Sequence, residues 1–278
     1  MLVVIKPVGP TSHDVVDQVR RALHTRRVGH LGTLDPFAEG VLVLVVGRAT
    51  RLAPFAAGWH KSYEGVMRLG TTTTTDDPMG EVVGTSEGWR RLDREAIAAV
   101  FGRFRGAIRQ RPPAHSAVKV AGERAYRRAR RGEAVTLPER AVDIFDLELT
   151  EWSGPDVRFR ATVSSGTYLR SLARDIGAEL GCGAHLAALR RTAVGPFRLE
   201  QGTPPEAVTA ADLRPAALLV AELPRRMLSA PEREAVRHGR SLPALAERDR
   251  VALFAGDELI AIGERVGDDV KPRVVIAE

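Results

Sequence analysis

The chain has 278 residues, one cysteine (Cys182) and a formal net charge of +6. That length suits one large domain with a small second one, and the single thiol excludes an internal disulfide and a cysteine-based zinc site. No apolar run approaches the ~20 residues of a membrane span, and the apolar start at residues 1–5 is too short for a signal-peptide core, so a reducing cytoplasm is the expected setting.

In chain order, Val15, Val19 and Leu23 recur at helical spacing and predict an amphipathic helix over 14–24 with Ser12 as its cap. Residues 41–46 form a continuous apolar run ending at Gly47, the pattern of a buried strand. Residues 63–69 predict a second strand, and the polar stretch 71–80 a turn-rich connection. Asp93 is placed to cap a helix whose apolar face is Ala96, Ile97, Val100, Phe101 and Phe104. Arg111-Pro112-Pro113 ends that pattern. Alternating Val157, Phe159, Ala161 and Val163 predict a strand running into Ser164-Ser165-Gly166-Thr167. A helix burying Leu169, Leu172, Ala173, Ile176 and Leu180 should follow.

The proline-rich stretch 202–223 reads as a connection with one short helix. Beyond it, strands at 250–255, 259–264 and 272–277 predict a small all-β module. Strands and helices interleave without regular βαβ spacing, which argues for a mixed α+β sheet. The expected division is a domain at 1–223, carrying a basic excursion at 103–138, and a second domain at 224–278.

Charge is unevenly spread. From Arg225 onward there are ten Lys+Arg and ten Asp+Glu, so the first 224 residues hold all the net positive charge. Between Arg103 and Arg131 stand ten basic residues and one acid, Glu123. Such a block suits a phosphate backbone, because neutralised phosphates release their counterions.

The stretch Gly29-His30-Leu31-Gly32-Thr33-Leu34-Asp35-Pro36 sets one carboxylate between a glycine-containing turn and the apolar run at 41–46. Pro36 fixes its own φ and biases Asp35 away from helical geometry. On these residues alone, Asp35 stands open between an ordinary turn acid and a catalytic one.

The ordered set of motifs narrows this. Lys6-Pro7-Val8-Gly9-Pro10-Thr11-Ser12, the Asp35 stretch, Lys61-Ser62-Tyr63-Glu64, Pro112 to Lys119, Ser165-Gly166-Thr167-Tyr168-Leu169-Arg170, Gly181-Cys182-Gly183-Ala184-His185-Leu186 and Leu189-Arg190-Arg191 occur in that order. Together they resemble the TruB family of bacterial tRNA pseudouridine synthases over about residues 1–200. The resemblance implies a pseudouridine synthase fold with a central mixed, largely antiparallel sheet flanked by helices. The last 55 residues more loosely resemble a PUA domain, a small RNA-binding barrel. The implied activity is isomerisation of uridine 55 in the TΨC loop of tRNA, without cofactor or metal, by a cytoplasmic monomer.

By the same resemblance, Asp35 is the nucleophile on a flipped-out base and Arg170 its cationic partner, expected to lower the Asp35 pKa. Tyr63 and Tyr168 form the aromatic pocket, with Tyr63 also a proton-transfer group. His30 contacts RNA where the base has left, Leu189 is a pocket wall, and Lys6 and Lys119 bind substrate. The attack of Asp35 on the sugar C1′ or the base C6 stays open. Three departures from the family pattern stand out: Thr74 replaces an acid in Thr73-Thr74-Thr75-Asp76-Asp77, His115 an aromatic, and Glu39 a threonine.

Rival readings are a same-fold synthase acting on another or a guide-selected RNA, and a non-catalytic tRNA-binding or folding protein. A serine hydrolase on Gly84-Thr85-Ser86-Glu87-Gly88 is a weaker third, because no helix follows the serine directly. The seven histidines show no metal-binding spacing.

Overall fold

The structure, a computed structural model, describes residues 1–114, 119–120, 123–124, 128, 131, 133, 137–245 and 248–276. Side chains of 119, 120 and 124 lie outside that description, as does His115 entirely.

The elements begin with β1 (Leu2–Lys6), α1 (Ser12–Ala22), β2 (Val28–His30), β3 (Glu39–Val46), α2 (Ala53–Ala56) and β4 (Lys61–Leu69). A hairpin, β5 (Thr71–Thr73) and β6 (Val82–Thr85), precedes α3 (Arg94–Arg103) and β7 (Gly106–Gln110). Two short paired strands, β8 (Lys119–Val120) and β9 (Glu123–Arg124), lead to the long β10 (Arg140–Ser153) and β11 (Asp156–Val163). Next come α4 (Leu169–Glu179), β12 (Ala184–Val194) and β13 (Phe197–Arg198). The chain ends in β14 (Arg225–Met227), α5 (Ala230–Arg237), β15 (Leu242–Pro243), β16 (Arg250–Ala255), β17 (Glu258–Val266) and β18 (Asp269–Val275).

The main sheet runs β1-β3-β12-β4-β11-β10-β7, with β2 beside β3 and β13 beside β12. Its described pairings are antiparallel except β12 with β3, where Arg191 lies opposite Gly40. Gly40 is required there: its φ is +109°, and a Cβ would sit 2.2 Å from the Arg191 carbonyl oxygen. This is the mixed, largely antiparallel sheet expected.

Strands β4 and β11 alternate as their sequences do, sending Tyr63, Met67 and Leu69, and Val157, Phe159, Ala161 and Val163, into one core. Helices α3 and α4 cover that core through Ile97, Val100 and Phe101, and Leu169, Leu172, Ala173 and Ile176.

Three expectations need correction. Helix α1 starts two residues early and is capped by Thr11, not Ser12; Thr11 and Asp14 form a reciprocal capping box. The stretch 71–80 contributes a strand to a hairpin. Strand β12, central in the sheet, had no counterpart in the pattern reading, because two register shifts, Leu186/Ala188 and Arg191/Ala193, break its alternation.

The last 54 residues hold a five-stranded sheet, order β14-β16-β17-β18-β15. The three expected strands are present, and two short parallel or antiparallel flankers join them. This sheet has its own core on one side, formed by Val236, Leu242, Leu253, Ile260, Ala261 and Val270, and shares a second with the first part of the chain. Ala252, Phe254, Leu259 and Ile262 share one buried cluster with Leu31, Val41, Val43, Leu52, Leu219 and Val220.

Candidate active site

Asp35 stands in the connection between β2 and β3, and that connection is pinned from four sides. Ser12, buried at the start of α1, donates its hydroxyl to the Leu34 carbonyl at 2.9 Å and accepts the Leu34 N–H at 2.8 Å. The backbone N–H of Gly9 donates to the Pro36 carbonyl at 2.8 Å. The Lys6 ammonium donates to the carbonyls of Pro7, Pro36 and Ala38 at 2.8, 3.4 and 2.7 Å. Arg191, fully buried on β12, donates to the carbonyls of Gly32, Thr33 and Val41 at 3.0, 3.3 and 2.7 Å. Gly32, Thr33 and Leu34 before Asp35, and Pro36, Ala38 and Val41 after it, are thereby held by side chains from β1, α1 and β12.

Arg170, in the first turn of α4, faces Asp35. Its Nε lies 2.9 Å from Asp35 Oδ2, and its Nη2 donates to Oδ1 at 3.3 Å. The third nitrogen, Nη1, lies 3.2 Å from Asp77 Oδ2 and donates to the Thr75 carbonyl at 3.0 Å. Asp77 is itself fixed: its Oδ1 accepts the Thr75 hydroxyl at 2.5 Å and the Met79 N–H at 3.0 Å. Arg170 and Asp77 are buried, whereas Asp35 keeps 35% of its side chain exposed. The guanidinium is thus a buried bracket that aims one partly open carboxylate.

Arg170 lowers the Asp35 pKa as expected, but the net shift is upward. Burial pushes its carboxyl above the ordinary value, outweighing the attraction of Arg170, and the second carboxylate, Asp77, pushes the same way. Burial likewise holds Lys6 and Lys61 down to about 8, with the Arg191 charge adding to both. His30 is lowered by burial and then by Arg191, which keeps its ring neutral at pH 7.

Beneath Asp35, its neighbours Leu34 and Phe37 share a buried cluster with Tyr63, Leu169 and Leu189. Tyr63 and Leu189 are 6% and 8% exposed, so each presents only an edge. Tyr168, half-buried, is the residue from which α4 starts. His30, at the end of β2, is also half-buried. Val8 and Met79 are exposed apolar residues on segments bonded to this site, Val8 before Gly9 and Met79 after Asp77.

Lys6 is corrected from substrate contact to loop support, because it has no exposed surface and its three donors are spent on carbonyls. The Lys119 side chain lies outside the described residues. Ser86 follows β6 and its hydroxyl accepts the Gly88 N–H, as a turn serine does. Among the described residues, no group of three or more His, Cys, Asp or Glu is placed to hold a metal.

Sequence reasoning missed Asp77, Ser12 and Arg191 as parts of the site. Asp77 left one signal: it is the acid kept where its neighbour had become Thr74. The sequence pattern marks Ser12 only as a cap and Arg191 only as part of a motif. Their work is done on backbone carbonyls distant in the chain, which spacing does not reveal.

Comparison with known proteins shows the family of the chain. The model of the TruB family pseudouridylate synthase N-terminal domain matches residues 20–169, and that of the tRNA pseudouridylate synthase B C-terminal domain matches 170–232. A tRNA pseudouridine synthase B of Thermobifida fusca is 47% identical, covering 100% of this chain and 98% of that protein. One of a Synechococcus species is 45% identical, covering 98% and 96%. Among solved structures, a chain of a Cbf5–Nop10–Gar1 complex superposes with a TM-score of 0.73 at 29% identity, covering 99% of this chain and 84% of that one. A chain of an H/ACA ribonucleoprotein bound to a substrate RNA containing 2′-deoxyuridine gives 0.74 at 27%, covering 100% and 84%.

Proposed function

The chain belongs to the TruB family and is a tRNA pseudouridine synthase, and we propose that Asp35 is the carboxylate that attacks a flipped-out uridine at position 55 of the TΨC loop. The observation that carries this reading is the bracket of Arg170 around a half-open Asp35 on a loop pinned from four sides.

Isomerisation breaks the N1–C1′ bond, turns the base and joins C5 to C1′; the C5 proton leaves and N1 is protonated. A carboxylate nucleophile divides this into two easier steps. It must be ionised, poorly solvated and aimed. Arg170 supplies the charge that keeps Asp35 ionised, and the apolar floor of Leu34, Phe37 and Leu189 supplies the desolvation.

Removing the base from its stack costs a few kcal/mol. Tyr168, half-buried, is the ring available to stack on it, such a contact contributing roughly 1–3 kcal/mol, while Tyr63 meets it with an edge. The Tyr63 hydroxyl has no protein hydrogen bond among the described residues, which leaves it free to move a proton on the substrate. The neutral His30 ring suits the vacated stack.

Action on tRNA rather than on a guide-selected RNA is favoured by the relatives: the tRNA pseudouridine synthases are 45–47% identical, the chains of the Cbf5–Nop10–Gar1 and H/ACA complexes 27–29%. The test is incubation with an unmodified tRNA transcript carrying tritium at uridine C5, with the product mapped by chemical derivatisation. Tritium release and one isomerised uridine at 55 are expected from the parent, and neither from Asp35→Asn.

A further inference from the structure

The basic excursion leaves the main sheet at the end of β7, and the way it leaves ties it to the helix that carries Arg170. Gln110, the last residue of β7, is 1% exposed. Its Oε1 accepts the Tyr168 N–H at 2.8 Å, and its Nε2 donates to the Tyr168 carbonyl at 3.1 Å. The orientation of the amide is fixed by chemistry, because a backbone N–H can face only the oxygen and a carbonyl only the nitrogen. The next residue continues the junction: the Arg111 carbonyl accepts the Ser171 hydroxyl at 2.8 Å and Arg174 Nη2 at 3.0 Å. Arg174 also reaches Asp76 with Nη1 at 3.1 Å, beside Asp77. Pro112 and Pro113 follow, lacking N–H groups, so the ladder of β7 ends here.

This junction answers a local need. Helix α4 begins at Tyr168, whose side chain caps nothing. A helix start normally takes its fixed position from a short polar cap. Here a glutamine from a distant strand binds both polar groups of the cap residue, as a neighbouring strand would. Two residues later in the chain stands Arg170, and its grip on Asp35 depends on where that first turn lies.

We propose that Gln110 is a positioning residue for the isomerisation: by holding the Tyr168 main chain it sets the start of α4, and so where Arg170 holds Asp35. The inference rests on Asp35 being the reacting carboxylate. A merely space-filling glutamine predicts that a side chain of the same shape serves as well; a hydrogen-bonding one does not.

The experiment uses the full chain and an unmodified tRNA transcript, with enzyme in excess, and measures single-turnover rate, tRNA Kd and thermal melting. Gln110→Met keeps length and volume but pairs neither group. The expected result is a rate about 30-fold lower or less still, with Kd within about threefold of the parent. Val142→Ala, a buried residue on the neighbouring β10 that pairs with Ile108 rather than Gln110, is a stability control, expected to melt lower at an unchanged rate.

A folded Gln110→Met protein within about threefold of the parental rate overturns the proposal, as does a loss confined to Kd. So does a loss matched by Val142→Ala, which would make it a matter of stability. If the Met variant does not fold, Gln110→Leu decides: it is close in size and pairs neither Tyr168 group. A rate at least about tenfold lower supports the clamp, and a parental rate rejects it. Activity retained in Asp35→Asn would instead reject the reading of the site itself.

Discussion

Arg170 meets Asp77 through Nη1 at 3.2 Å, the guanidinium nitrogen that Asp35 does not use. One cation therefore carries two carboxylates, and the buried one orients it for the half-open one. Asp77→Asn keeps the shape and removes the anchoring charge. The expected single-turnover rate is about 10–100-fold lower, a loss of roughly 1.4–2.7 kcal/mol in the transition state, with tRNA affinity unchanged. Parental turnover in that variant would mean that Asp35 alone orients Arg170.

Arg170→Lys keeps the charge without the planar fork, so it can serve one carboxylate but not both. The rate should fall by at least about 100-fold while the protein still folds. Arg170→Ala leaves two carboxylates facing each other without a cation, and breaking a buried pair costs about 3–5 kcal/mol of stability. Chemical denaturation and single-turnover kinetics separate the two effects.

The role proposed for Asp35 requires its anion, and burial raises its pKa above the ordinary carboxylate value. Activity is therefore present above that raised value and is lost as pH falls through it, earlier than an ordinary aspartate would allow. Asp77 adds to the rise, so in Asp77→Asn the acid limb should move to lower pH even though the rate drops. An acid limb unmoved by that change would show that Asp77 does not act on the Asp35 charge.

Lys61 is buried with its pKa lowered to about 8 from 10.5, and among the described residues its ammonium makes one hydrogen bond, to the Trp59 carbonyl at 3.2 Å. Between those two values the unfolded chain binds more protons at this site, so its contribution to stability rises with pH from about 8 to 10.5. Below 8 the folded protein carries the full cost, on the order of 3 kcal/mol. Lys61→Met should accordingly raise the melting temperature at pH 7 and give little gain near pH 10. A destabilised Met variant at pH 7 would mean that the charge is favourably held.

The C-terminal sheet shares a core with the loop behind Asp35, since Phe254 and Ile262 belong to the cluster that contains Leu31 and Val41. A chain cut near Leu223 exposes Leu52, Leu219 and Val220, and is expected to aggregate or melt well below the full chain. Phe254→Ala should cost about 3–5 kcal/mol, measured by denaturant unfolding. Equal stability of the cut chain would show that the two parts fold independently.

The pattern of the chain alone specified β4, β11, α3 and α4, whose apolar residues recur at strand or helix spacing, and β3, an unbroken apolar run. The ordered motifs also specified the family, and with it Asp35 and Arg170. The sequence by itself did not specify β12, whose bulges interrupt the period on which such readings depend. Nor did it reveal what holds Asp35. Ser12, Arg191 and Gln110 act on main-chain groups 22, 158 and 58 residues away, and nothing in local pattern marks which carbonyl a buried donor will find. The direction of the Asp35 pKa had the same origin. A partner cation can be named from a motif, but the desolvation that outweighs it is a property of the packed surroundings, and only the tertiary structure supplies those.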